Sequence, residues 1–125
     1  MRLLLDTHIL LWALADDPRL GKAAALILDP QNQISVSTAS YLELAIKASQ
    51  GKIAVDLREI RTAVAESGFD ELPVNGAHAE ILAGLPWRHK DPFDRILVAQ
   101  ALAEPLRLIT VDAQVARYSD TVILI

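Results

Sequence analysis

Asp6, Glu43, Asp94 and Asp112 are scattered along the chain but share a local setting. Asp6 directly follows the apolar run RLLL, and Asp112 follows RLIT by one residue, with Thr110 closing that run. Glu43 falls in the first turn of the helical pattern after QISVS, and Asp94 in the first turn of PFDRILVAQAL. That last helix is apolar on most sides, and Asp94 shares a face with Leu97, Val98 and Ala101. A carboxylate in such a place needs a partner, and several together without a cation cost more still. A divalent ion resolves the cost. Hard oxygen ligands, with no His or Cys at ligand spacing, select Mg²⁺ or Mn²⁺ over Zn²⁺. The chemistry that follows is hydrolysis of a phosphodiester by metal-activated water.

Each acid also has a purely structural role open to it. Asp6 and Asp112 are placed to cap the segments after them, Ser40-x-x-Glu43 has capping-box spacing, and Asp91-x-x-Asp94 resembles the same device. The conjunction of all four, with Asp94 on a largely buried helix, favours the metal reading.

The elements that must position these residues alternate. Strand patterns at Arg2–Leu5, Gln33–Ser37, Glu71–Val74, Arg107–Thr110 and Thr121–Ile125 are separated by helical spacing. The helices are expected after Asp6, from Asp17-Pro18 to about Leu28, over Ser40–Gln50 closed by Gly51, from Asp56 to near Gly68, over Ala77–Leu85 capped by Asn75, from Asp91-Pro92 to Pro105, and briefly after Asp112. This order predicts a three-layer α/β/α sandwich with a mostly parallel central sheet, as a single domain over residues 1–125. Functional crevices in such sheets lie beyond the carboxyl ends of the strands. By that topology Asp6, Glu43 and Asp112 share one rim, and Asp94 joins them through a longer loop.

Bulk properties narrow the classes. Of 125 residues, 52% are hydrophobic and 22% charged, so the chain builds an ordinary globular core. There is no cysteine, which excludes disulfides, thiolate metal sites and a cysteine nucleophile, and fits a cytoplasmic location. The longest apolar run, Ile9 to Ala15, is far short of the ~20 residues of a membrane span. A formal net charge of −4 argues against broad nucleic-acid binding by a basic surface, but leaves room for a small acidic site that meets nucleic acid through metal ions.

The same residues carry a likeness. DTHILLW from Asp6, SVSTASYLELAIKASQGK around Glu43, LPWRHKDPFDRILVAQAL around Asp94 and LITVD ending at Asp112 together resemble the PIN-domain ribonucleases, in particular the VapC-like toxins of toxin–antitoxin pairs. The likeness spans nearly the whole chain in order, and DPFDRILVAQA is its most specific piece. It implies a Mg²⁺- or Mn²⁺-dependent endoribonuclease acting on structured RNA, a cognate antitoxin that covers the cleft, and a homodimer. It implies that Asp6, Glu43, Asp94 and Asp112 form the acidic cluster. Thr110 takes the hydroxyl position beside it, and Asp91 serves as a helix cap.

Other residues carry weaker signals. Arg95 is expected to pair with a carboxylate, or to meet an RNA phosphate or an acidic antitoxin group. Lys47 stands one turn after Glu43 as an i,i+4 partner. His89 and Arg88 lie in the loop before Asp94, where substrate contact is the weaker reading. His8, His78 and His89 are not at metal-ligand spacing with one another. Trp12 and Trp87 read as core or interface anchors. Two alternatives remain at this level. A receiver-like Mg²⁺-binding signalling module lacks its lysine after a strand, and a non-catalytic binding protein on the same fold would be expected to have lost one of the acids. An Asp-x-Asp phosphatase is disfavoured by His8 in the second acid's place.

Overall fold

Leu3, Leu4 and Leu5 are wholly buried and point alternately to the two faces of the sheet, so one strand seeds two cores. The computed structural model describes residues 1–125. Its strands are β1 (Arg2–Leu5), β2 (Gln33–Ser37), β3 (Asp70–Leu72), β4 (Arg107–Thr110) and β5 (Ile123–Leu124). The helices are α1 (Thr7–Leu14), α2 (Ala23–Leu28), α3 (Thr38–Ser49), α4 (Leu57–Glu66), α5 (Gly76–Gly84), α6 (Pro92–Ala103) and α7 (Ala113–Ala116). The sheet runs β3-β2-β1-β4-β5, and all four pairings are parallel. The sandwich was expected to be mostly parallel; it is wholly so.

Leu3 and Leu5 join Ile34, Val36 and Ile109 against Ile9, Leu10, Tyr41 and Val64 on one face. Leu4 and Leu108 meet Leu97, Val98, Ala101 and Val115 of α6 and α7 on the other. Both faces are therefore covered, which is why the inner strands read as continuous apolar runs. No helix is long and apolar enough to cross a membrane.

Register sets the rim. Leu5 pairs with Val36 on one side and Ile109 on the other. The next residues, Asp6, Ser37 and Thr110, therefore leave the sheet at one level. The strand order turns back between β1 and β4, and a crevice opens at such a switch point.

Four sequence-based boundaries need correction. The helix expected over 17–28 is divided. Asp17 caps a 3₁₀ turn, Pro18–Leu20, and Gly21 then takes φ 51°, ψ −122°, before α2 begins. The helix expected from Ser40 starts at Thr38, because the Ser37 hydroxyl accepts the Ala39 N–H and caps it as the chain leaves β2. The Ser40–Glu43 capping box therefore does not form, and Glu43 sits in the second turn. The outer strands are shorter than the patterns at 71–74 and 121–125, since each edge strand pairs on one side only.

Gly21 has open space where a Cβ would stand, so its requirement for glycine is purely one of backbone conformation. Gly21→Ala is expected to lose about 1–3 kcal/mol in urea unfolding. Gly76→Ala, at the first position of α5 with open space around it, should be neutral or stabilising. Equal effects at the two positions would contradict this account.

Candidate metal centre

Asp6 ends β1 and caps α1: its Oδ1 accepts the Ile9 N–H at 2.8 Å. Its other oxygen accepts the Thr110 hydroxyl at 2.5 Å, across the β1–β4 switch point. Thr110 in turn accepts the Asp112 N–H at 3.1 Å, so one hydroxyl ties two of the acids together. Asp6 is only 5% exposed, and burial raises its carboxyl pKa despite the bonds from Thr110 and Ile9 that lower it.

Glu43 enters from α3 and is also buried. The Thr7 hydroxyl donates to its Oε1 at 2.7 Å, with the Ser40 hydroxyl 3.0 Å from that of Thr7. Lys47 donates to Oε2 at 2.7 Å. The expected i,i+4 pair forms, but its acid is buried, so this is no ordinary surface pair.

Asp94 stands at the start of α6. Asp91 caps that helix as expected, accepting the Phe93 and Asp94 N–H groups at 2.8 and 3.1 Å. Burial pushes Asp94 up to about 6, outweighing the bond from His89, with the charges of Asp91 and Asp6 adding to the rise. Asp112 caps α7 through the Gln114 N–H at 2.8 Å. The four acids expected from the sequence line one cavity of about 460 Å³, together with Thr7, His8, Lys47, His89 and Asp91.

Sequence reasoning passed over His89 as a site residue. Its Nε2 lies 2.8 Å from Asp94 Oδ2 and 3.3 Å from Asp112 Oδ2, and its Nδ1 lies 3.1 Å from Gln114 Oε1. The statement that no His stands at ligand spacing is thus corrected. One ligand atom each from His89, Asp94 and Asp112 lie within 4.8 Å of one another. Burial opposes protonation of His89, but the bond and charge of Asp94, the charge of Asp112 and the bond to Gln114 prevail and raise its pKa. The available signal was its place five residues before Asp94 in a loop that must fold back over the helix start.

Arg95 departs from expectation. It is buried but pairs with no carboxylate. Its guanidinium lies 4.3 Å from the Trp87 ring centroid and donates to the Leu82 carbonyl at 3.4 Å. It lines a separate groove with Leu82, Leu85, Trp87 and Ile96, away from the acidic cavity. His78 is also a structural residue, since its Nδ1 accepts the Asn75 N–H and its Nε2 meets Glu104 at 2.7 Å. Trp12 is partly buried against the core, under the Arg19 guanidinium.

Residues 3–120 match the family model described as the PIN domain. The chain is 30% identical over 112 residues to ribonuclease VapC22 of Mycobacterium tuberculosis, covering 87% of this chain and 85% of that protein. Among solved structures it resembles a toxin–antitoxin complex from Klebsiella pneumoniae (27% identity, TM-score 0.63, covering 96% and 94% of the two chains). The fold is shared with VapBC2 from Rickettsia felis bound to a promoter DNA fragment (18% identity, TM-score 0.72, covering 100% and 98%).

The electrostatics generate a stability test. A carboxyl raised in the folded state contributes stability below its unfolded pKa and loses it as pH rises through the folded value, here from about 4 through about 6. His89, whose pKa is raised from about 6.5, loses its own contribution only at higher pH, above that interval. In metal-free buffer, wild type should therefore lose stability relative to Asp94→Asn over that interval, on the order of 1–2 kcal/mol after allowance for solvent screening. Urea unfolding of both proteins at stepped pH measures this. A difference that stays constant with pH would refute the assigned strain.

Proposed function

The chain belongs to the PIN-domain family of VapC-like ribonucleases, and from that premise we propose that it is a divalent-metal-dependent endoribonuclease, the toxin of a toxin–antitoxin pair. The observation that carries this reading is the convergence of Asp6, Glu43, Asp94 and Asp112 on one cavity at the carboxyl ends of β1 and β4. Counting Asp91, five carboxylates line it against one lysine. Asp91 is committed to the α6 cap and Lys47 to one oxygen of Glu43. Burial raises Asp6 and Asp94, the mark of negative charge held where it is poorly compensated.

This donor set fits Mg²⁺ or Mn²⁺, with Asp6, Glu43, Asp94 and Asp112 as the residues that would hold it. A bound ion would supply Lewis acidity for activating water and for offsetting charge on a phosphodiester. The chain's own residues perform the positioning. Thr110 fixes the Asp6 oxygen that faces β4 and, through the Asp112 N–H, the start of α7. Thr7 and Lys47 each hold one oxygen of Glu43. Asp91 takes up the Phe93 and Asp94 N–H groups, which fixes the start of α6 and with it the place of Asp94.

PIN membership displaces the receiver-like alternative, and the retention of all four acids speaks against a non-catalytic relative. The partner we propose is a cognate antitoxin, as in the Klebsiella complex. A homodimer is proposed as well: Leu42 and Ile46 of α3 are both exposed and lie one turn apart, an apolar stripe suited to a second subunit. A cytoplasmic site of action is part of the same proposal, since cellular RNA is met there. Arg95, buried beneath Trp87, is left in a structural role.

Asp94→Asn removes a charge and almost no volume. It should lower cleavage of cellular RNA roughly 100-fold or more, the scale of losing one electrostatic group at a transition state, while leaving the far-UV circular dichroism spectrum unchanged. Chelation of divalent ions should silence wild type to the same degree. Growth arrest on expression should be relieved both by this variant and by co-expression of the neighbouring gene product. Cleavage at the wild-type rate by a folded Asp94→Asn protein would overturn the site.

A further inference from the structure

Resting on that reading, we propose that His89 is a further metal ligand, its Nε2 joining carboxylate oxygens of Asp94 and Asp112 around one divalent ion, and that this mixed nitrogen–oxygen set makes the site prefer Mn²⁺ to Mg²⁺. Spacing is the first argument. Nε2 stands 2.8 Å from one carboxylate oxygen and 3.3 Å from the other. Adjacent ligands around an octahedral ion at about 2.1 Å are separated by about 3 Å. All three ligand atoms fall within 4.8 Å of one another.

The second argument is the direction of the ring. Gln114 presents its side-chain oxygen to Nδ1 at 3.1 Å, and an amide oxygen only accepts. Nδ1 therefore carries a proton. In the neutral ring this leaves the Nε2 lone pair aimed at two carboxylates, an arrangement relieved by a proton on Nε2 or by a metal ion that takes that proton's place. A second nitrogen fixed by an outer hydrogen bond is the usual setting of a ligating histidine, where it sets tautomer and orientation. Gln114 is thus a positioning residue for His89. Its own helix, α7, is capped by Asp112, so ligand and support sit on one element.

The third argument is contrast. His8 lines the same cavity but is exposed, bonds to no carboxylate and lies against Trp12, with ring centroids 6.3 Å apart. His89 is half-buried and held from both ring nitrogens. Imidazole nitrogen suits transition metals, whereas Mg²⁺ favours oxygen and water. Replacing one oxygen ligand by nitrogen shifts the preference toward Mn²⁺.

The test uses the intact chain loaded with Mn²⁺ alone. Pulsed electron paramagnetic resonance should show coupling of ¹⁴N to the bound Mn²⁺ in wild type and in His8→Ala, and none in His89→Ala. Calorimetric titration should show His89→Ala weakening Mn²⁺ by about 10- to 100-fold and Mg²⁺ by only a few-fold. Bound Mn²⁺ without nitrogen coupling in wild type, coupling that persists in His89→Ala, or equal losses for the two metals would each overturn the assignment. Absence of coupling in wild type overturns the assignment even where a variant fails to fold, and coupling retained in His8→Ala leaves His89 as the nitrogen donor of that cavity. If Mn²⁺ binds wild type but not Asp94→Asn and shows no nitrogen coupling, the carboxylate centre stands and only the role of His89 falls. If wild type binds no Mn²⁺, both fall.

Discussion

Asp6 holds a carboxylate at the end of the central strand with almost no access to water, and much of the surrounding structure answers the cost of keeping it there. Two hydrogen bonds reach it, one from the first turn of its own helix and one from Thr110 on the next strand. Those bonds lower its pKa, yet burial prevails and raises it. The balance leaves Asp6 harder to ionise than a solvated carboxyl, a cost that the proposed cation would offset. An acid meant only to cap α1 would need neither the Thr110 bond nor the company of Glu43 and Asp94.

The sheet makes that company possible. Because β1 pairs with β2 and β4 in register at Leu5, the residues following all three strands emerge together. Helices entered from those ends bring Glu43 from α3 and Asp112 from the cap of α7. The fourth acid arrives differently, on a helix reached through a loop, and the same loop folds His89 back over it. Rigid strands set two acids, a helix interior sets the third, and a loop closes the cavity over the fourth. The loop residues from Trp87 to Lys90 border the surface around Trp87, and His89 among them borders the acids as well.

Arg95 and Asp94 show how adjacent charges part ways. On a helix, neighbours in sequence point about 100° apart, so residues at i and i+1 do not share a face. Asp94 turns into the acidic cavity, while Arg95 turns toward α5 and lies against Trp87. Expecting Arg95 to find a carboxylate followed from its chemistry alone; the geometry of α6 sends it elsewhere. Ser40 is a similar case. Its spacing to Glu43 fits a capping box, but Ser37 already closes the helix, and the Ser40 hydroxyl turns instead to Thr7.

The strands, their alternation with helices, the parallel sheet and the four acids at strand ends and helix starts were legible in the sequence because they rest on local rules: apolar runs, proline and acid caps, and the habit of parallel sheets to place chemistry beyond their strand ends. Asp91 as a cap was legible for the same reason, and Thr110 beside an acid came from the family likeness. The partner of Thr110, the burial of Glu43, the ring of His89 between Asp94 and Asp112, and the break at Gly21 were not. Each of the first three depends on distances between segments far apart in the chain or joined by a loop of no regular period, and the fourth on a backbone angle that glycine permits but does not announce. Sequence alone determined which groups carry charge and which elements bear them. Tertiary structure decided which charges face one another, because desolvation and Coulomb energies depend on separation and exposure that no spacing along the chain encodes.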